Sequence, residues 1–218
     1  MRRGCTQQDR GLAVILSADQ RLALAGYLLS RFHAFARSKD HALMVAVALA
    51  FDVATLFGVG VPEGATFRDS YWTTLGPVIF APKGRTDALG AHLRVLCHEL
   101  THVVQFWRDP LGLVPRYLSR KGRAELEAEA ERAACEVWYL LTGELPNGLA
   151  SLDFTRHGYA FEDLPGEHGD YADLTRDLLE QACTSVKAGV LSTDVGLEVR
   201  SWLRANAPEA LVPQEHRP

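Results

Sequence analysis

Cysteine is scarce. The four thiols, Cys5, Cys97, Cys135 and Cys183, form no CxxC pair and no repeating spacing. That excludes a zinc ribbon and a thioredoxin-like dithiol, and leaves buried free thiols in a reducing compartment as the reading. An excess of positive charge is also missing. Twenty-three Lys and Arg stand against 27 Asp and Glu, for a net charge of −4, so no basic field advertises nucleic acid or an anionic membrane. The local group Arg116, Arg120, Lys121 and Arg123 reads as the solvated face of one loop. No uninterrupted apolar run crosses a bilayer: residues 42–61 come nearest, but Asp52 stands at their centre. A central Asp costs about 2.5–3.5 kcal/mol on insertion, which weak Ala and Gly contributions do not offset. After Arg2 and Arg3 only residues 12–16 are continuously apolar, too short for a signal-peptide core. Repeats, low-complexity tracts and linker-like stretches are absent as well. With 47% hydrophobic and 23% charged residues, the expectation is one globular domain over residues 1–218, cytoplasmic and without a membrane partner.

Within that domain three regions differ in character. Residues 1–65 read as helical. Ser17 with Gln20 three positions on forms a capping-box signature, opening a helix expected to run to about Arg37. A second helix is expected from about Asp40 to Phe57, ended by the Gly58–Gly64 stretch. Between Thr66 and Ala81 aromatic, Thr, Val and Ile residues suggest one or two short strands. The second is expected at Pro77–Ala81, in an edge position because Pro cannot donate to a ladder. Thr86-Asp87 then caps a helix to about Trp107, and Asp109–Gly122 reads as loop. A further helix is expected over Arg123–Leu141 with Gly143 as its stop. In residues 143–218, an irregular loop to about 169 precedes helices near 170–188 and 194–205, and the last ten residues read as loose. The fold class is α+β, mostly helical around a minimal sheet.

The residues that carry chemistry lie in the helix after Thr86: His98-Glu99-Leu100-Thr101-His102, an HExxH motif. At about 100° per residue the two histidines lie only about 40° apart, one turn from each other. Imidazoles so placed can reach one Zn²⁺, with Glu99 beside them to hold a water. Composition alone produces this pattern in roughly 2 chains per 100, so its surroundings decide. On the helical wheel Leu93, Leu96, Leu100, Val104 and Trp107 fall nearly opposite His98, while Arg94 and Gln105 share its side. The histidines therefore face a cleft and not the main core. Cys97 points to the core side and reads as packing.

A catalytic zinc needs a third protein ligand. The next helix offers Glu125, Glu127, Glu129 and Glu131, although acids early in a helix also simply complement its dipole. Its apolar stripe is Leu126, Ala130, Ala133, Ala134, Val137, Leu140 and Leu141. Glu125 falls with Arg132 and Glu136 on the charged face, and Glu131 lies well away from the stripe. Glu127 and Glu129 flank it, where a side chain can be half-buried and still reach a cleft. The wheel leaves both open.

HELTHVVQ, a loop of about twenty residues, and then RAELEAEAERAA together resemble gluzincin-type zinc metallopeptidases. The resemblance covers residues 73–142, about a third of the chain. In that group a Glu from the following long helix, often in an E-x-E-A-x-x-x-A context, joins the two histidines. Glu127-Ala128-Glu129-Ala130 with Ala134 matches that context, so the resemblance implies His98, His102 and Glu127 as ligands of Zn²⁺ and Glu99 as the catalytic base. It implies a zincin-like fold, with TTLGPVIFAP similar to the edge strand that lines the substrate cleft. It also implies metal-assisted hydrolysis of an amide in a peptide or protein substrate, in which Glu99 takes the proton of the attacking water. Tyr117, His157, Tyr159, His168 and Tyr171 are candidates for the transition-state donor. Asp153, Asp163 and Glu131 are candidates for orienting the histidines. The alternative is a zinc-binding protein of the same fold that acts in assembly without catalysis. Substrate identity and oligomeric state are not legible.

Overall fold

The computed structural model describes residues 16–56, 68–69, 71–82, 85–146 and 172–211. Helix α1 (Ala18–Arg31) opens with the expected capping box: Ser17 Oγ accepts from Gln20 N at 3.1 Å and Gln20 Oε1 accepts from Ser17 N at 2.9 Å. It buries Leu24, Ala25 and Leu28. The helix ends six residues before Arg37, because His33 adopts a left-handed φ of 52° and turns the chain. Residues expected to continue the helix instead form strand β1 (Phe35–Ser38). Helix α2 (Ala42–Leu56), strand β2 (Thr73–Leu75) and strand β3 (Val78–Ala81) follow.

The three strands form one sheet in the order β1-β3-β2, with β1 parallel and β2 antiparallel to β3. The Pro77–Ala81 strand is thus central and not at an edge. Pro77 escapes the ladder penalty because it sits in the Gly76-Pro77 turn before β3, where its missing N–H breaks no ladder bond. The register aligns Ala36, Ile79 and Thr74 across the sheet. Ile79 enters the main core, whereas its neighbour Phe80 packs on the other face with Met44 and Ala48 of α2. Alternation therefore places Thr74 on the same face as Ile79, turned towards the helices.

After a 3₁₀ segment (Thr86–His92) comes helix α3 (Leu93–Arg108), shorter at its start than expected. Asp109–Gly122 is not all loop. It contains α4 (Leu113–Leu118) and the first turn of α5 (Arg120–Thr142). Pro115 is tolerated because it falls in the first turn of α4, where N–H groups have no intrahelical partner. Ser119 caps α5 by accepting from Gly122 N at 3.0 Å, and Gly143 ends it with a left-handed φ of 75°. Gly122 is required by packing. A Cβ there would strike the carbonyl of Arg116 and the hydroxyl of Ser119. Helices α6 (Ala172–Lys187) and α7 (Asp194–Asn206) complete the described fold.

Helix α5 is the hub, packed against α3, α4, α6 and α7. Its predicted stripe is buried along its whole length, from Leu126 to Leu141. On α3, Leu93, Leu96, Cys97, Leu100 and Val103 join the main core, while Trp107, placed on that stripe from sequence, is 53% exposed at the helix end. Glu136 departs furthest from expectation. It is fully buried and accepts from Ser192 N at 2.8 Å and Thr193 N at 3.2 Å, closing the start of α7. A carboxylate at a helix N-terminus satisfies donors that the helix itself cannot. Cys97, Cys135 and Cys183 are free thiols, and Cys5 lies outside the described residues. Among the described residues no helix is long and apolar enough to cross a membrane.

Candidate metal centre

The α3–α5 contact brings His98, His102 and Glu127 together. One ligand-type atom from each lies within 4.8 Å of the other two, the one such His/Cys/Asp/Glu group among the described residues. His98 Nε2 stands 3.1 Å from Glu127 Oε2, and His102 Nε2 stands 3.6 Å from Glu127 Oε1. The imidazoles meet edge-on, 5.0 Å between centroids. Two imidazole nitrogens and one carboxylate oxygen suit zinc, and a three-ligand set leaves the open position that a catalytic site requires. The donor set fits the metal that the motif implies.

The other acids of α5 go elsewhere. Glu125 is half-buried and lies 3.5 Å from Arg116 and 4.0 Å from Lys121. Glu129 accepts from Gln105 Nε2 at 3.0 Å and pairs with Arg108 at 2.9 Å. Of the two candidates left by the wheel, only Glu127 reaches the histidines. Glu131, read as remote from the apolar stripe, is in fact buried. Its carboxylate lies 3.4 Å from His98 Nδ1 and pairs with Arg94. The i, i+4 spacing of Glu127 and Glu131 puts both on one helix face, so their joint approach to His98 follows from the sequence once the ligand face is fixed.

Each of the three groups has a further partner, which for both histidines lies on the ring nitrogen turned away from Glu127. For His98 it is Glu131. For His102 it is Gln105, whose Oε1 lies 2.9 Å from Nδ1. For Glu127 it is Tyr117, which donates to Oε1 at 2.8 Å. Such outer partners fix ring orientation and tautomer in metal sites. Tyr117 is itself positioned by α4 and by the fully buried Arg123, whose Nη1 donates to the Tyr117 carbonyl at 3.4 Å. The wheel places Gln105 on the histidine side, three residues after His102, but does not single it out as the partner of that ring. Of the other sequence candidates, His157, Tyr159, His168, Tyr171, Asp153 and Asp163 lie outside the described residues.

The charges are strongly coupled. Burial alone would lower the pKa of His98, but Glu127 and Glu131 outweigh it and hold the imidazole well above its ordinary value. His102 is raised too, with burial opposed chiefly by Glu127. Burial would raise Glu127, yet the two histidines keep it well below the usual carboxylate range. Burial would likewise raise Glu131, and His98 with Arg94 brings it down. Burial, reinforced by the Glu127 carboxylate, pushes the Tyr117 phenol well up, so it stays a donor. Protons and a cation would therefore compete for the same imidazole nitrogens.

Glu99 lies one residue from His98 and is 7% exposed. Its Oε2 accepts from Thr74 Oγ1 at 2.6 Å, so the β2 strand fixes the carboxylate beside the histidines. No sequence signal identified Thr74. Lys39, immediately after β1, is buried deeply enough to bring its ammonium down to about 8, partly offset by the Glu99 charge.

The chain matches no protein-family model, no curated protein and no solved structure.

Proposed function

We propose that the chain is a zinc-dependent hydrolase with a zincin-like arrangement of the gluzincin type, cleaving an amide bond in a peptide or protein. The observation that carries the proposal is the meeting of both HExxH imidazoles with one buried carboxylate from the next long helix, with Glu99 held beside them. His98, His102 and Glu127 would hold the zinc, which when bound acidifies water and polarises a carbonyl.

The chain's own residues supply the rest. Glu99 takes a proton from the attacking water and returns it to the departing amine. Thr74, donating to one oxygen of Glu99, fixes which way the carboxylate faces and leaves the second oxygen for the proton. Tyr117, Glu131 and Gln105 keep the three ligand groups in place. Strand β2 is an edge strand of the sheet, so its outer side can align an extended peptide by adding it as a further strand. Thr74 belongs to that strand, which brings an aligned peptide next to Glu99.

The test compares wild type and Glu99→Gln on a casein digest and a fluorogenic peptide mixture, with zinc measured in both. Turnover by wild type and a loss of about 10²–10⁴-fold in the variant, at equal zinc content, supports the reading. Equal activity in the two proteins overturns Glu99 as the base. Zinc without turnover in wild type would instead favour a metal-binding assembly component.

A further inference from the structure

We propose that Gln105 is a positioning residue that fixes His102 as its Nδ1–H tautomer and locks the spacing between the ligand groups of α3 and α5. The inference deepens the zinc-hydrolase reading and rests on it for its relevance to metal.

The hydrogen-bond inventory of one amide carries the argument. The NH₂ end of a glutamine only donates and its carbonyl only accepts. Gln105 Nε2 lies 2.9 Å from the Leu126 carbonyl and 3.0 Å from Glu129 Oε2, and both partners only accept. Flipping the amide would set its carbonyl against two acceptors, so the orientation is determined. Oε1 is then left facing His102 Nδ1 at 2.9 Å, and that contact is a bond only if Nδ1 carries the hydrogen. In the neutral imidazole the lone pair is consequently on Nε2, the nitrogen that faces Glu127.

The second half of the device is where the amide is anchored. Leu126 is the residue before Glu127, so Gln105 holds one ligand ring with its carbonyl and grips the backbone beside another ligand with its NH₂. Gln105 is 3% exposed, and Arg108 pairs with the other oxygen of Glu129 at 2.9 Å, which keeps that acceptor in place. One side chain thus sets ring orientation and interhelical register together. A neutral amide suits the position, because a carboxylate there would face Glu129.

The test uses the full chain, metal-free, at a pH where both imidazoles are neutral, and reads tautomers from two-bond proton–nitrogen correlations of the ring nitrogens. Wild type should show His102 with Nδ1–H. Gln105→Met should shift it to Nε2–H, the form that Glu127 favours, and weaken zinc in a chelator competition by about ten- to hundredfold. Gln105→Glu retains an acceptor for Nδ1–H but loses the NH₂ grip on the Leu126 carbonyl and meets Glu129, so it should restore the tautomer without the full affinity, which separates the two halves of the device. Nε2–H in wild type, or an unchanged tautomer and affinity in Gln105→Met, overturns the proposal. A wild type that takes no zinc defeats the hydrolase reading, and the tautomer spectrum still decides the role of Gln105.

Discussion

Replacing Glu131 with Leu separates what this carboxylate does for the fold from what it does for the site. Its side chain is 8% exposed and that of its partner Arg94 is 19% exposed. Removing one member of a pair this buried costs about 3–5 kcal/mol, because the guanidinium loses this carboxylate in a place that water solvates poorly. Replacing both members by apolar residues of similar size is often close to neutral. Metal-free Glu131→Leu should therefore unfold at markedly lower urea than wild type, and Arg94→Met/Glu131→Leu should recover most of the loss. Zinc affinity should behave differently. Both proteins lack the acceptor 3.4 Å from His98 Nδ1. Both should therefore bind zinc about ten- to hundredfold more weakly, equivalent to about 1.4–2.7 kcal/mol. The assays are urea denaturation after chelator treatment and competition against a zinc indicator. A double variant that binds zinc as wild type does would refute the claim that Glu131 orients His98. A single variant no less stable than the double would refute the buried pair.

Zinc affinity should rise with pH through the range above the ordinary imidazole pKa of about 6.5. The raised pKa values of His98 and His102 mean that a cation must displace protons from imidazoles whose charged form the neighbouring carboxylates, Glu127 above all, favour; competition titrations at several pH values check this, and a flat profile would contradict it. Glu198 joins α7 to α1 by accepting from Tyr27 at 2.7 Å and Arg31 at 2.9 Å, which lowers its pKa. Its contribution is present above the unfolded carboxylate value and lost as pH falls through the depressed one. Glu198→Gln should thus show a small deficit in thermal stability at neutral pH that closes in acid, and a deficit that grows in acid would reverse the sign. Gly122→Ala should destabilise by about 1–3 kcal/mol, since the new methyl meets the Arg116 carbonyl at the α4–α5 junction. A neutral or stabilising effect in chemical denaturation would show that the junction yields.

Long periodic elements were legible because their signal is a repeated burial requirement. The apolar stripe of α5 and the pairing of His98 with His102 follow from 3.6 residues per turn alone. The misreadings share a different cause: a local signal overridden by a contact distant in sequence. His33 takes the left-handed turn that a glycine usually marks, so nothing announced the end of α1 or the start of β1. Asp109–Gly122 reads as loop, yet Pro115 fits a first helical turn and Gly122 a close backbone approach. Glu136 and Glu131 lie outside the apolar stripe of their own helix, but Thr193 and Arg94 supply partners that make their burial possible. In the centre itself, helical geometry narrowed the third acid to two. Their different fates were set by Arg108 and Gln105, which capture Glu129 and leave Glu127 to the histidines.

The central claim is a three-residue zinc centre, and metal content per chain tests it most directly. Wild type, His102→Ala, Glu127→Ala and Glu129→Ala would be purified without chelator or a histidine tag and measured by elemental analysis. The account predicts about one zinc per chain in wild type and in Glu129→Ala, and loss of zinc in the other two. No zinc in wild type after addition at neutral pH, or full zinc in Glu127→Ala, would contradict it.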